Sequence, residues 1–205
     1  MLKKSILIFS VLLLILVIGG GYIYFRIQTD VENILIADND WRSEVLEFPL
    51  IFANDLNYTG EEHIRFAPGW GEVDNDDYFS YVFVWRIQEK PDWTPRDMED
   101  ILNTYFDGLM NTGKLTQFQF LKSIPETQSS FRQGTVYDYE GTVEIYDVFF
   151  TSQKTLLNVK VKIEKCSGTN VNLVWFYLSP QDTSHPVWDK LKNVRSTVDC
   201  IQNRK

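Results

Sequence analysis

Hydrophobic and polar residues alternate most regularly in three stretches of the chain. From Tyr78 to Ile87, one face of an extended chain is wholly apolar, and its members are Phe79, Tyr81, Phe83, Trp85 and Ile87. Leu157–Ile163 alternates with polar residues, and Val171–Tyr177 resumes the alternation after a Ser-Gly-Thr-Asn turn. These patterns predict one strand that is buried on at least one face, followed later in the chain by a β-hairpin.

Shorter alternating stretches predict four further strands. They are Glu62–Ala67, Gln117–Ile124, Phe131–Tyr139 and Thr142–Phe150. Gly141 is expected to separate the last two strands. Residues 44–53 fit a strand or a loop, because Pro49 has no backbone N–H to give to a sheet.

Two helices are indicated by their start signals and apolar spacing. Thr94, Pro95 and Asp97 form a capping-box start, and the apolar positions that follow end at Gly113. These positions are Met98, Ile101, Leu102, Tyr105, Phe106 and Leu109. We expect Phe83 and Trp85 to pack against this helix. The second helix is expected to start at Ser184 or His185, with an apolar stripe at Val187, Leu191, Val194, Val198 and Ile201.

The first part of the chain resembles a membrane segment. Residues 5–25 carry no charge and would form a helix of roughly 32 Å, which is close to the thickness of a bilayer core. A cleaved signal peptide is the alternative, with Gly19–Gly21 as its cleavage region. The apolar run continues through Tyr22–Phe25, which favours an uncleaved signal-anchor. Lys3 and Lys4 predict a cytoplasmic N-terminus and a periplasmic or extracellular C-terminal domain.

The chain therefore divides into three predicted parts. Residues 1–27 form the membrane anchor, residues 28–40 a stalk, and residues 41–205 one exported domain. Strands followed by a helix, more strands and a terminal helix predict the α+β class, with a mostly antiparallel sheet and two packed helices.

Charge argues against nucleic acid as a partner. The formal net charge is −8, and no basic stripe of the kind that binds phosphates is present in the sequence. Aromatic residues make up 15% of the chain, which suits a core built on a pleated sheet.

One acidic cluster suggests a metal site. Glu72, Asp74, Asp76 and Asp77 follow a Pro-Gly-Trp-Gly turn, and carboxylates in alternation can begin a calcium loop. The cluster departs from an EF-hand loop, because Asp77 occupies the glycine position. A solvated acidic loop is the alternative.

Two tryptophans are candidate ligand-binding residues. Trp70 lies between two glycines, and Trp93 is expected on a loop. The alternative for Trp70 is a lid folded onto the core. His63 and His185 form no catalytic or zinc motif, so the sequence nominates no catalytic residue.

Cys166 and Cys200 would form a disulfide if the domain is exported, because paired cysteines are normal in oxidising compartments. A regular terminal helix would point Cys200 away from the sheet that carries Cys166. The pairing therefore depends on where that helix ends.

These features predict a single-pass membrane protein. Its exported domain is expected to bind a small ligand or an envelope protein without catalysis. The alternatives are a metal-assisted cell-surface hydrolase that uses the acidic cluster, and a structural subunit of an envelope assembly.

Overall fold

The computed structural model describes residues 31–119, 121–166 and 169–200. Its main strands are β2 (Arg42–Glu47), β3 (Gly60–Phe66), β4 (Tyr81–Ile87), β5 (Gln128–Gln133), β6 (Tyr139–Asp147), β7 (Gln153–Lys165) and β8 (Asn172–Ser179). They form one antiparallel sheet in the order β2-β3-β4-β8-β7-β6-β5. Two short strands, β1 (Leu35–Ile36) and β9 (Arg195–Ser196), pair separately. Two helices complete the domain, α1 (Pro95–Thr116) and α2 (Val187–Lys192). The expected α+β class with an antiparallel sheet is confirmed.

Helix α1 starts where the sequence predicts. Thr94 is its N-cap, and its hydroxyl accepts a hydrogen bond from the Asp97 N–H at 3.2 Å. The Asp97 carboxylate accepts in return from the Thr94 N–H at 2.7 Å, which completes the capping box. The helix runs past Gly113 to Thr116.

Helix α1 joins two meanders that share the centre of the sheet. Strands β2, β3 and β4 are neighbours in sequence and in space, and so are β5, β6, β7 and β8. The chain leaves β4 near the middle, crosses one face as α1, and enters β5 at the far edge. It then winds back until β8 pairs with β4, with Phe83 opposite Phe176.

The face beneath α1 carries the larger core. Phe83 is fully buried, and its ring stacks on Tyr105 of α1 at 5.2 Å and on Phe176 of β8 at 4.4 Å. Trp85 is also fully buried and lies 6.1 Å from Tyr105. The expected packing of this strand face on α1 is confirmed.

The opposite face of the sheet carries a second core. Val82 and Val84 of β4 are fully buried there, together with Trp188 and Leu191 of α2. Strand β4 is therefore buried on both faces, which agrees with its nearly continuous apolar sequence.

The second helix is much shorter than predicted. It ends at Lys192, and Arg195–Ser196 then pairs with β1 instead of extending the helix. Val194 still enters the second core, so it is buried, as its place in the apolar stripe predicts, although it lies outside the helix. Cys200 lies after this strand and is bonded to Cys166, so the orientation expected for a helical Cys200 does not apply.

Two strand predictions are also wrong. Gln117–Ile124 contains no strand among its described residues, because α1 extends to Thr116 and turns follow. Gly141 does not separate two strands but lies inside β6. A Cβ atom there would lie 2.2 Å from the Ser130 carbonyl oxygen, so glycine lets β5 approach β6 closely.

The start of the domain differs from the predicted division. Residues 28–40 were expected to form a stalk, but Leu35 is 1% exposed and pairs with Ser196. The predicted anchor, residues 1–27, lies outside the described residues. Within the part of the chain that the structure describes, no helix is long and apolar enough to cross a membrane.

Candidate ligand-binding cavity

A cavity of about 630 Å³ opens between α1 and the β2–β4 half of the sheet. This volume lies within the range of small-molecule sites. Its walls come from three sheet strands, the loop after β2, the turn before β4, the turn after β6, and the middle and C-terminal part of α1. The residues that line it are Glu44, Leu46, Glu47, Pro49, Ile51, Phe52, Asn54, Ile64, Phe66, Trp70, Phe79, Tyr81, Tyr105, Leu109, Thr112, Thr116 and Phe149.

The cavity follows from the topology of the domain. Seven strands span about 29 Å from one edge to the other, whereas one helix is about 10 Å across. Helix α1 lies mainly over β5 and β6, so it leaves the β2–β3 side of this face without a helix. The loop after β2 covers part of that side. A Cβ atom on Gly108 of α1 would lie 1.9 Å from the Phe52 carbonyl oxygen, which shows how closely this loop meets the helix.

Trp70 forms part of the cavity wall. Its half-buried ring lies 4.7 Å from the Phe66 ring and 4.9 Å from the Phe150 ring. The Arg42 guanidinium lies 5.2 Å from its centroid. Among the described residues, the buried Trp70 indole N–H has no hydrogen-bond partner. It is therefore a donor for which the described residues supply no acceptor.

A buried acid lies behind the cavity wall. Glu62 of β3 is fully buried, and its Oε1 accepts a hydrogen bond from the Tyr105 hydroxyl at 2.7 Å. Burial raises the pKa of Glu62 to about 8. The hydrogen bond from Tyr105 and the proximity of the Trp85 indole both act to lower this pKa. The carboxyl group is therefore largely protonated at neutral pH.

The Glu62 pocket is incompletely hydrogen-bonded. In the described part of the chain, neither Glu62 Oε2 nor Trp85 Nε1 has a hydrogen-bond partner. The Trp85 indole is near enough to influence the pKa of Glu62, but the two groups do not meet with hydrogen-bonding geometry. Since unpaired buried polar groups are costly, these two atoms reduce the stability that the surrounding core provides.

The cavity rim is acidic. Glu44 and Glu47 of β2 line it and are exposed. Partial burial raises the pKa of Glu44, while the charge of Arg42 acts against that rise. The arrangement is an apolar interior behind a negatively charged rim.

Trp93 does not share this cavity. It lies 5.8 Å from the Tyr58 ring and 6.3 Å from the Trp85 ring, and its carbonyl oxygen accepts a hydrogen bond from the Tyr139 hydroxyl. The structure thus separates the two tryptophans predicted to bind a ligand. Trp70 lines the cavity, and Trp93 supports the core beneath α1.

The four acidic residues of the predicted calcium site are not assembled around one point. Asp77 is buried and accepts two hydrogen bonds from the Lys190 ammonium, at 2.7 and 3.0 Å. Glu72 accepts from the Asn75 amide at 2.9 Å, and Asp76 lies 3.8 Å from His185. Asp74 is exposed. Across the described ranges, no three His, Cys, Asp or Glu residues are placed to share a metal ion. Successive tight turns direct the alternating carboxylates to different partners.

The two histidines lie apart. His63 is fully buried, and its Nδ1 accepts from the Ile34 N–H at 3.5 Å. Burial lowers the pKa of His63 to about 4, so the ring is neutral at pH 7. The His185 Nδ1 accepts from the Val187 N–H at 3.2 Å, at the start of α2.

Sequence reasoning missed Glu62 and Tyr105 as members of the site. A signal for Glu62 was available, because alternation in β3 places it on the same face as Ile64 and Phe66. A carboxyl group on an otherwise apolar strand face indicates a special environment. Tyr105 gave no such signal, because its helical spacing is that of any core residue.

No family model matches the chain, and neither the curated proteins nor the solved structures contain a significant match. The functional assignment therefore rests on the geometry of the cavity.

Proposed function

We propose that this protein is a membrane-anchored, exported domain that binds a small, largely apolar ligand without catalysis. The observation that carries the proposal is the cavity of about 630 Å³ between α1 and β2–β4. Its lining includes aromatic and aliphatic side chains from every neighbouring element, as is usual for small-molecule sites.

The polar groups around the cavity limit the chemistry of the ligand. The Trp70 ring contributes apolar surface to the cavity wall, whereas its N–H is buried. Glu44 and Glu47 at the rim disfavour an anionic head group and favour a neutral or cationic one. A neutral ring system or chain with a single polar end fits this arrangement.

The disulfide supports an exported location. Bonds such as Cys166–Cys200 persist in oxidising compartments and are rare in the cytosol. The predicted anchor at residues 5–25 would hold the domain at the outer side of the membrane, in the periplasm or outside the cell. The alternative is that the exported domain binds an envelope protein instead of a small ligand.

The proposal can be tested with a neutral, environment-sensitive naphthylamine dye. The full chain in nanodiscs is titrated with the dye, and empty nanodiscs serve as the blank. Thr112 lines the cavity, so Thr112→Trp should fill it and weaken binding at least tenfold. Asn111 is exposed on the same helix and lies outside the lining, so Asn111→Trp is the matched control and should bind like the wild type.

The same titration can refute the proposal. Saturable binding that is equal in both variants would place the dye elsewhere on the protein. An absence of saturable binding to the wild type would remove the support for an apolar ligand. Circular dichroism spectra of both variants should match the wild type, which keeps a folding defect apart from a filled cavity.

A further inference from the structure

The end of α1 and the turn after it present large apolar side chains to solvent. Leu115 is 56% exposed, Phe118 is 82% exposed and Leu121 is 101% exposed. We name these three residues the apolar tip. The other large exposed apolar residues of the described chain are spread over separate loops and strands, whereas these three lie within seven positions. Such a group is typical of an interaction surface.

The backbone holds Phe118 in an unusual conformation. The Gln119 N–H donates to the Lys114 carbonyl at 2.8 Å, and the Phe118 N–H donates to the Leu115 carbonyl at 3.3 Å. This is the Schellman pattern that ends many helices, and it places Phe118 in the left-handed region with φ of 56°. Glycine normally occupies that position, because a side chain there is strained. Here the strained position carries a large aromatic ring directed to solvent.

The segment of sequence that carries the apolar tip is basic, unlike the chain as a whole. Positions 108–125 contain no Asp or Glu, although the whole chain has 28 acidic residues and a net charge of −8. Lys114 and Lys122 flank the tip. The Lys114 ammonium donates only a long hydrogen bond of 3.4 Å to Asn111, and the Lys122 ammonium lies 4.7 Å from the Tyr146 ring. Neither lysine is bonded to a carboxylate among the described residues.

The apolar tip also borders the cavity. Thr112, Thr116 and Phe149 line the cavity, and Thr116 directly follows Leu115 at the end of α1. Helix α1 therefore contributes to a cavity wall and to the exposed apolar surface within about one helical turn.

We propose that the apolar tip is a membrane-docking surface, which inserts into the interface of a bilayer that contains anionic phospholipid. Leucine and phenylalanine flanked by lysines are suited to this position, because the apolar groups leave water while the ammonium groups stay at the head groups. The uncharged run of the predicted anchor ends at residue 25, and the five residues between that run and Val31 extend at most about 18 Å, which would keep the domain near the bilayer. The docking surface goes beyond the proposed ligand binding, since it requires no occupant in the cavity.

Two single-cysteine labels can test this docking. The native cysteines are bonded to each other, so a polarity-sensitive nitrobenzoxadiazole label is attached through Phe118→Cys or Val136→Cys in the full chain. Val136 is 81% exposed in the turn before β6 and serves as the matched control. Both chains are reconstituted into vesicles of phosphatidylcholine, with and without phosphatidylglycerol.

The label at position 118 should shift its emission to the blue and should be quenched by doxyl-labelled lipids, more strongly when phosphatidylglycerol is present. The label at position 136 should report water in both vesicle types. Water-like emission at position 118 would overturn the proposal and would direct attention to a protein partner instead. Equal blue shifts at both positions would also overturn it, because they would indicate non-specific adsorption.

A charge variant examines the same surface with the label at position 118 and with Leu115 and Leu121 unchanged. Lys114→Glu combined with Lys122→Glu should abolish the added effect of phosphatidylglycerol on the label at position 118. If that effect persisted, the lysines would not contact the head groups, and the proposed preference for a bilayer with anionic phospholipid would be wrong. Label emission at position 118 reports docking, whereas the dye titration with Thr112→Trp reports ligand binding. A failure of one proposal is therefore distinguished from a failure of the other.

Discussion

At the scale of single residues, Glu62 and His63 are consecutive in β3, and both are fully buried. Their side chains point to opposite faces of the sheet, so one enters the core under α1 and the other lies under the chain before β1. Burial disfavours the charged form of each group, which raises the pKa of Glu62 and lowers that of His63. Stability should therefore depend on pH in two opposite ways.

The first prediction concerns Glu62. Its pKa is about 8 in the folded protein against an ordinary value of 4.5, so the folded state binds more protons between these values. The Glu62 contribution to the free energy of unfolding should fall as pH rises through this window, by up to roughly 1.4 kcal/mol per pH unit. His63 changes the stability in the opposite direction, but mainly below pH 6.5. Urea unfolding at several values from pH 6.5 to pH 8 should give a flatter profile for Glu62→Gln than for the wild type. Parallel profiles would show that Glu62 is ionised in the folded state.

The second prediction concerns His63. Its pKa is about 4 in the folded protein against 6.5 ordinarily, so the unfolded chain binds the extra proton. The His63 contribution to stability should therefore be lost as pH falls from 6.5 towards 4. His63→Gln should weaken this acid dependence in thermal or urea unfolding, whatever its effect at neutral pH. His185→Gln is the control, and a similar change in both variants would remove the assignment to His63.

At the scale of elements, helix α1 determines the width of the cavity. It is held at one end by its capping box and along its length by aromatic contacts with β4. Its start was predictable because Thr94, Pro95 and Asp97 are local signals that require no knowledge of tertiary contacts. Its end was less predictable, since apolar residues at 118, 120 and 124 lie at even spacing, which fits a strand until the turn after Thr116 is seen.

The third prediction uses the close contact between α1 and the loop after β2. An alanine in place of a helical glycine usually stabilises by about 1 kcal/mol. Gly108→Ala should instead destabilise by more than about 1 kcal/mol, because its Cβ would lie 1.9 Å from the Phe52 carbonyl oxygen. Asn111→Ala, on the exposed side of α1, should change the free energy of unfolding by less than about 0.5 kcal/mol. Stabilisation by Gly108→Ala would mean that the loop does not rest on the helix.

The fourth prediction concerns the contact between β4 and α1. Phe83 is fully buried between Tyr105 and Phe176, so Phe83→Ala should cost roughly 3 to 5 kcal/mol in chemical denaturation. Val136→Ala, at an exposed position, should have little effect. A loss below about 1 kcal/mol for Phe83→Ala would contradict the stacking of this strand on α1.

At the scale of the whole molecule, the strands could be predicted but not their partners. Alternation identifies β4, β7 and β8 to within about four residues at each end, yet it does not tell which strand pairs with which. The pairing of β4 with β8 depends on contacts between distant residues such as Phe83 and Phe176. The cavity was unpredictable for the same reason, because it arises from the part of the sheet that α1 does not cover. Trp70 could be selected from its Gly-Trp-Gly setting, but its neighbours could not.

The fifth prediction concerns the disulfide that ties the end of the chain to β7. Cys166 and Cys200 are 34 positions apart, and closure of such a loop should stabilise the domain by roughly 3 to 4 kcal/mol. Thiol labelling of the denatured, unreduced protein should find no reactive thiol, and Cys166→Ser with Cys200→Ser should lower the free energy of unfolding. Two reactive thiols per chain would reject the bond and would weaken the case for an exported domain.

The central position of β8 affects how the chain acquires its structure. Until residues 172–179 have been made, β4 has no partner on one side, although β2 and β3 are already complete and β3 can pair with its other side. During that interval, Tyr81–Ile87 presents an apolar strand edge of the kind that pairs with other chains. Pairing across such a long stretch of sequence is also slow. A newly made chain is therefore most prone to aggregate before β8 docks, and a holding chaperone would be most useful during that period.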